Sequence, residues 1–198
     1  MLSPQQRFSK PLIDLKDVIN SARCYYETWS ALKHDIPPLH QEKIPLEAQI
    51  FFTHSRFTHY KCMVIDLYMI LDTNPKAASL RNVLPEALRL GIIDAAEHSE
   101  GLKRIAAIEP IWQKIRELRH RLFAHTESGA FYDDIMATLN LLAEDFEKLI
   151  DGALQALDVI WSKLFSPKHA VLDFERDYYR EQTKKFTNSI LAQFYTSA

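Results

Sequence analysis

Residues 110–129 read PIWQKIRELRHRLFAHTESG. On a wheel at about 100° per residue, Ile111, Ile115, Leu118 and Leu122 fall within one narrow arc, and Trp112 and Phe123 widen it on one side. That spacing predicts a helix with one face in a core. Pro110 suits its first turn and Gly129 is a natural stop. Arg119 and His125 flank the arc on opposite sides, each about 50–70° from its centre. Both are therefore edge residues, partly buried and still reachable. His120 points nearly away from the arc, toward solvent or toward something outside this helix's own core.

The same periodicity extends in both directions. Leu12, Leu15, Val18, Ile19, Ala22, Tyr25, Tyr26, Trp29 and Leu32 recur at three- and four-residue steps, and Pro37-Pro38 ends that element. A second helix opens near Pro45, uses Ile50, Phe51, His54, Phe57, Cys62, Ile65 and Met69, and stops at Asp72-Thr73-Asn74-Pro75. Ser79 is placed to cap a short helix carrying Leu80, Val83, Leu84, Leu88 and Leu90, with Gly91 just past its end. Residues 92–108 read as helical, with Gly101 as a break. A long helix is expected from about 133 to 165, closed by Pro167, and a terminal one from about 172 using Phe174, Tyr178, Phe186, Ile190 and Phe194. No alternating strand pattern, internal repeat or low-complexity tract interrupts this series. The expectation is one all-α domain over 1–198, a bundle of long, roughly antiparallel helices joined mostly by short connections. Its core spans about 10–165, followed by a helical extension over about 170–198.

Composition narrows the function classes. The chain has 198 residues, 47% of them hydrophobic, which suits a globular protein and not a disordered one. Four glycines leave little material for phosphate loops or hairpin turns. The 24 basic and 26 acidic residues give a net charge of −2, which argues against a general nucleic-acid coat but allows a local basic patch. Cys24 and Cys62 sit inside apolar helical patterns and read as buried thiols in a reducing compartment. No charged-then-apolar leader and no apolar run near the ~20 residues of a membrane span is found, so a soluble, cytoplasmic protein with no membrane contact is expected.

Several constellations carry little chemistry. His54 and His59 are five apart, the wrong step for one metal-binding helix face, and His34, His40 and Asp66 do not mend the spacing. No metal or cofactor is expected. Asp66, inside an apolar stretch, either sits at a helix edge or pairs with a basic residue near the 110–127 helix. Tyr178, Tyr179, Arg180, Lys184, Lys185 and Phe186 interleave rings with charges; they are either an RNA-contacting strip or the wet face of an amphipathic helix. Tyr25, Tyr26, Trp29 and Trp161 suit a core or a dimer interface. Phosphate-loop, serine-elbow and zinc-finger spacings are absent from the sequence.

The segment LRHRLFAHTE, with Arg119, then His120, then four residues and His125, resembles the signature of HEPN domains, in the branch of AbiU2-type abortive-infection proteins. Met63-Val64-Ile65-Asp66-Leu67 and Ser79-Leu80-Arg81-Asn82-Val83-Leu84 are similar to that branch's middle region. The resemblance covers about residues 10–165. It implies a HEPN-like four-helix core with added N- and C-terminal helices, a homodimer, and in active members a metal-independent endoribonuclease of phage defence or a toxin–antitoxin system. It assigns Arg119 to the scissile phosphate, His125 to proton transfer and His120 to polar support. These residue types suit the chemistry, since histidine titrates near neutrality and arginine binds phosphate oxygens through paired hydrogen bonds. Arg119 and His125 stand about 9 Å apart along the axis, and Arg119 leans toward the helix N-terminus, away from His125. Two copies of the helix, or a neighbouring one, are needed to bring such groups to one phosphate. Some HEPN toxins carry a tyrosine two residues past the histidine that an antitoxin protein modifies; Glu127 stands there in this chain. Two other readings use the same residues. One is a non-catalytic dimeric module that binds a partner protein or RNA. The other is a helical scaffold in which Arg119 and His125 cap the turn at Gly129, pair with Asp133 or Asp134, or favour the helix's C-terminal end.

Overall fold

The computed structural model describes residues 4–35, 45–121, 136–165 and 173–196. It is an all-α helical bundle. In chain order the helices are α1 (Pro4–Ser30), followed directly by a π-helical turn (Ala31–Asp35), α2 (Leu46–Ile70), α3 (Leu80–Arg89), α4 (Ala95–Arg119), α5 (Ala143–Leu164) and α6 (Asp173–Thr196). No strand occurs among the described residues. The chain divides into two compact units, residues 1–22 with 64–171, and residues 23–63 with 172–198.

The first unit is organised by α4 and α5. Glu97 is ion-paired with Lys163, Arg104 Nη1 donates to the Gln155 carbonyl at 3.0 Å, and Lys114 Nζ donates to the Asn140 carbonyl at 2.6 Å. As the number rises on one side of the pair it falls on the other, so the two run antiparallel. Their buried faces are Ile105, Ile108, Trp112, Ile115 and Leu118 against Phe146, Leu149, Ile150, Ala153, Leu157 and Ile160, both at helical spacing. Two glycines make the approach close. A Cβ at Gly152 would run into the Ile108 side chain, and one at Gly101 would stand 2.6 Å from Leu84 Cδ1 of α3.

Local chemistry fixes the helix ends. Asp94 begins α4 with a capping box: its carboxylate accepts the Glu97 N–H at 2.9 Å, and Glu97 accepts the Asp94 N–H at 3.0 Å. The turn after α3 places Gly91 at φ +67°, with the Ile92 N–H returning to the Ala87 carbonyl at 2.9 Å. Residues 136–142 repeat that stop with Asn140 in the left-handed position (φ 47°), where Leu141 N–H returns to the Met136 carbonyl at 3.0 Å.

Several expectations change at this level. The separate helices over 92–108 and from Pro110 are one 25-residue helix. Gly101 is a contact point and not a break, and Pro110 lies inside the helix, where the carbonyl it leaves unbonded belongs to exposed Ala106 and can face water. The expected long helix over about 133–165 is instead interrupted at 139–142, because Asn140 accepts the left-handed turn that ends one element before α5 begins. Ser79 does stand at the start of α3, but its hydroxyl donates to the Asp72 carbonyl at 2.9 Å and caps no α3 N–H. On α2 the buried residues are Ala48, Tyr60, Met63, Val64, Leu67 and Ile70, while Ile50, Phe51, Phe57, Ile65 and Met69 are exposed. That helix is apolar on nearly every side, so periodicity alone selected the wrong stripe.

The second unit has a ring cluster and a charged cluster. Trp29 is fully buried, with Tyr60 at 5.7 Å, Tyr26 at 6.2 Å and His34 at 6.1 Å between centroids. Arg23 and Glu27 are buried beside each other at 3.8 Å, and Arg180 of α6 brings Nε to 3.5 Å from Glu27 and donates from Nη2 to Ser30 Oγ at 3.2 Å. Thr183 meets Thr28 at 3.4 Å. The inward face of α6 therefore carries Arg180, Thr183 and Thr187, whereas Tyr178 and Phe186, expected on its apolar side, are exposed. Cys24 and Cys62 are half-buried and form no disulfide; burial pushes the Cys24 thiol up, against a smaller opposing effect of its hydrogen bond with Thr28.

Candidate functional site

Arg119 is the last residue of α4, and it is exposed. Its guanidinium carbon lies 4.2 Å from the centroid of the Tyr68 ring, on α2. Tyr68 in turn stacks on Trp112, with centroids 5.9 Å apart and planes 20° from parallel. Trp112 and Arg119 are seven apart on α4, about 10.5 Å along the axis. The two ring distances nearly fill that interval, so Tyr68 is inserted between the tryptophan and the arginine. Trp112 Nε1 donates to the Tyr68 carbonyl at 2.9 Å, which ties the two helices at this point.

Arg81 of α3 closes the other end of the column, its guanidinium carbon 5.3 Å from the Trp112 ring. It is ion-paired with Glu109 and donates from Nε to the Leu71 carbonyl at 3.0 Å. Glu109 also accepts from Gln113 Nε2 at 2.6 Å.

Tyr68, Gln113, Arg116, Glu117, Arg119 and His120 line an open cleft of about 450 Å³. Arg119 and His120 thus share one cavity, and Arg116, one turn earlier, joins them. Glu117, the one carboxylate wall among the described residues, is occupied: it accepts from Arg121 Nε at 2.8 Å, which together with the surrounding positive charge holds its carboxyl below the usual range, against a smaller desolvation effect. No ion pair neutralises Arg116 or Arg119 among the described residues. Like charges at a three-residue step repel, and the helix's C-terminal end partly offsets this. A bound anion would relieve the rest.

His125, with Leu122, Phe123, Glu127, Gly129, Asp133 and Asp134, lies outside the described residues, so its distance to this cleft is not part of the geometry above. The α-helical wheel holds through Arg119; His120 and Arg121 adopt a π-type turn. Sequence reasoning singled out Arg119 and His120 and missed Tyr68, Gln113 and Arg116 as neighbours. The seven-residue step from Trp112 to Arg119 was the available signal. Asp66 is half-buried and hydrogen-bonded to Ser21; burial pushes its carboxyl up more than that bond lowers it, and no basic residue among the described ones pairs with it. His59 Nδ1 donates to the Ser55 carbonyl at 2.7 Å. Among the described residues no group of three potential metal ligands comes together, and no helix is long and apolar enough to cross a membrane. His40 lies outside them.

Comparison with known families agrees with this all-helical frame. The model of the AbiU2 family of HEPN type matches residues 10–186, reaching past residue 165 into α6. The chain belongs to that family. Searches of curated proteins and of solved structures find no significant match.

Proposed function

We propose that the protein is a metal-independent endoribonuclease of HEPN type, acting as a homodimer in phage defence or a toxin–antitoxin system. The observation that supports it most is Arg119: an exposed guanidinium with no neutralising carboxylate among the described residues, seated on Tyr68 in a cleft it shares with Arg116 and His120. Such a group binds a phosphodiester and stabilises the charge that builds up when the ribose 2′-hydroxyl attacks it. His125 takes the proton from that hydroxyl, and His120 gives polar support. As the new P–O2′ bond forms the P–O5′ bond breaks, and the departing 5′ oxygen takes a proton from water, so the products are a 2′,3′-cyclic phosphate and a 5′-hydroxyl. Family membership supports an abortive-infection role for the same site.

The test is cleavage of total RNA by the purified protein in EDTA, with ends mapped, beside His125→Ala and Arg119→Ala. Wild type is expected to cut and leave cyclic phosphates, and both variants to lose at least about a hundredfold in rate with unchanged unfolding midpoints. RNA retained without cleavage by wild type would instead identify a non-catalytic module that binds RNA. Equal cleavage by His125→Ala would end the proposed proton-transfer role.

A further inference from the structure

We infer that Tyr68 is a positioning residue for Arg119: its ring fixes the plane in which the guanidinium meets phosphate. This rests on the nuclease reading above. An arginine at a helix end has four rotatable side-chain bonds, and it binds a phosphate through paired hydrogen bonds only when its planar fork is turned correctly. Tyr68 supplies a flat surface 4.2 Å from the guanidinium carbon, and a cation over a ring face is attracted to it. The surface is itself held. Trp112 is stacked on Tyr68, its indole N–H is bonded to the Tyr68 carbonyl, and its own ring is backed by Arg81, which Glu109 and the Leu71 carbonyl anchor. Trp112 is 1% exposed, so the column is built into the core and ends at the cleft.

The same geometry separates this role from a nucleobase platform. Tyr68 lines the cleft, but it is sandwiched between Arg119 and Trp112 along the α4 axis. A base would have to displace Arg119 to stack there. Tyr68 therefore acts through the arginine and not on the base. The Tyr68 hydroxyl is of minor account, donating to Asp72 Oδ1 at a long 3.4 Å.

Two variants test this in the full-length protein. Tyr68→Phe keeps the ring, and Tyr68→Leu keeps apolar cover over Trp112 without it. With an RNA oligonucleotide substrate, Tyr68→Leu is expected to lower kcat about tenfold with KM changed less than about threefold, and Tyr68→Phe to stay within about twofold of wild type. A spectroscopic readout needs no catalysis. The Arg119 side-chain NMR signals are expected upfield from the ring current in wild type and Tyr68→Phe, and at ordinary positions in Tyr68→Leu. Full kcat in Tyr68→Leu, an effect on KM alone, or Arg119 signals indifferent to the ring overturns the inference. If wild type binds RNA without cutting it, the nuclease reading fails by itself. The positioning role is then judged on the NMR signature and on affinity for a 2′-O-methyl oligonucleotide, which Tyr68→Leu must weaken and Tyr68→Phe preserve. Wild type that binds no RNA overturns both.

Discussion

The two ends of the Tyr68–Trp112 column carry the same side chain in opposite circumstances. Arg81, at the inner end, has a carboxylate partner in Glu109 and a backbone carbonyl partner in Leu71, and its side chain is one-third exposed. Arg119, at the outer end, rests on a ring, and no carboxylate among the described residues pairs with it. A guanidinium with both partners supplied belongs to the structure. One oriented by an apolar surface, with its donors facing an open cleft, is available to a ligand. The contrast shows that the chemical state of an arginine follows from what remains unmade around it, since both ends use the same cation–ring contact.

The column is breakable from its centre. Trp112→Ala removes the ring that both ends depend on and opens a cavity beside Ile115 and Leu118; a stability loss of about 3–5 kcal/mol is expected in urea unfolding. A loss below about 1 kcal/mol would mean that the ring is dispensable and the column incidental. Arg81→Leu is expected to cost about 1 kcal/mol, near the low end for a charged contact because the pair is partly solvated. Arg119→Leu should lie within about 0.5 kcal/mol of wild type. Equal costs at the two ends would erase the distinction between a structural and an available guanidinium.

A smaller effect, dependent on pH, sharpens the same point with a carboxylate. Asp66 lies two residues before Tyr68 and has a hydroxyl for company in place of a cation. Burial raises its folded-state pKa above the unfolded value, so the folded protein holds the proton more tightly. Its contribution is then most favourable below the ordinary carboxylate range and declines as pH rises through the raised folded value. Asp66→Asn, which keeps a partner for Ser21, should therefore be more stable than wild type at neutral pH. That gain should vanish as the pH falls below the ordinary carboxylate range; a gain constant with pH contradicts the shift.

The helices were largely legible because each has a stripe at helical spacing, a stop or a capping residue. Where the reading went astray, a residue has two physical meanings. Gly101 and Pro110 look like punctuation, yet one makes room for Leu84 and the other tolerates an exposed unbonded carbonyl. Asn140 looks like an ordinary polar position within the 133–165 pattern, but it can occupy the left-handed region that ends a helix. On α2 the apolar residues surround the axis, so no periodicity distinguishes Met63 and Leu67 inside from Ile65 and Met69 outside. At the cleft, Arg119 and His120 were visible as neighbours in the chain. Tyr68 was not, because it arrives from a helix more than forty residues earlier, and no local pattern encodes that meeting.

The notch at Gly101 has a consequence well beyond its surroundings. It stands eighteen residues before Arg119, about 27 Å along a single uninterrupted helix. An added methyl group there meets the end of the Leu84 side chain, so either Leu84 gives way or α4 shifts against its packing on α5, and a shift of the helix is carried along to its tip. Substitution there can misalign the arginine while leaving every wall of the cleft chemically intact. A defect at the cleft is thus reachable by mutation at a position that forms none of its walls.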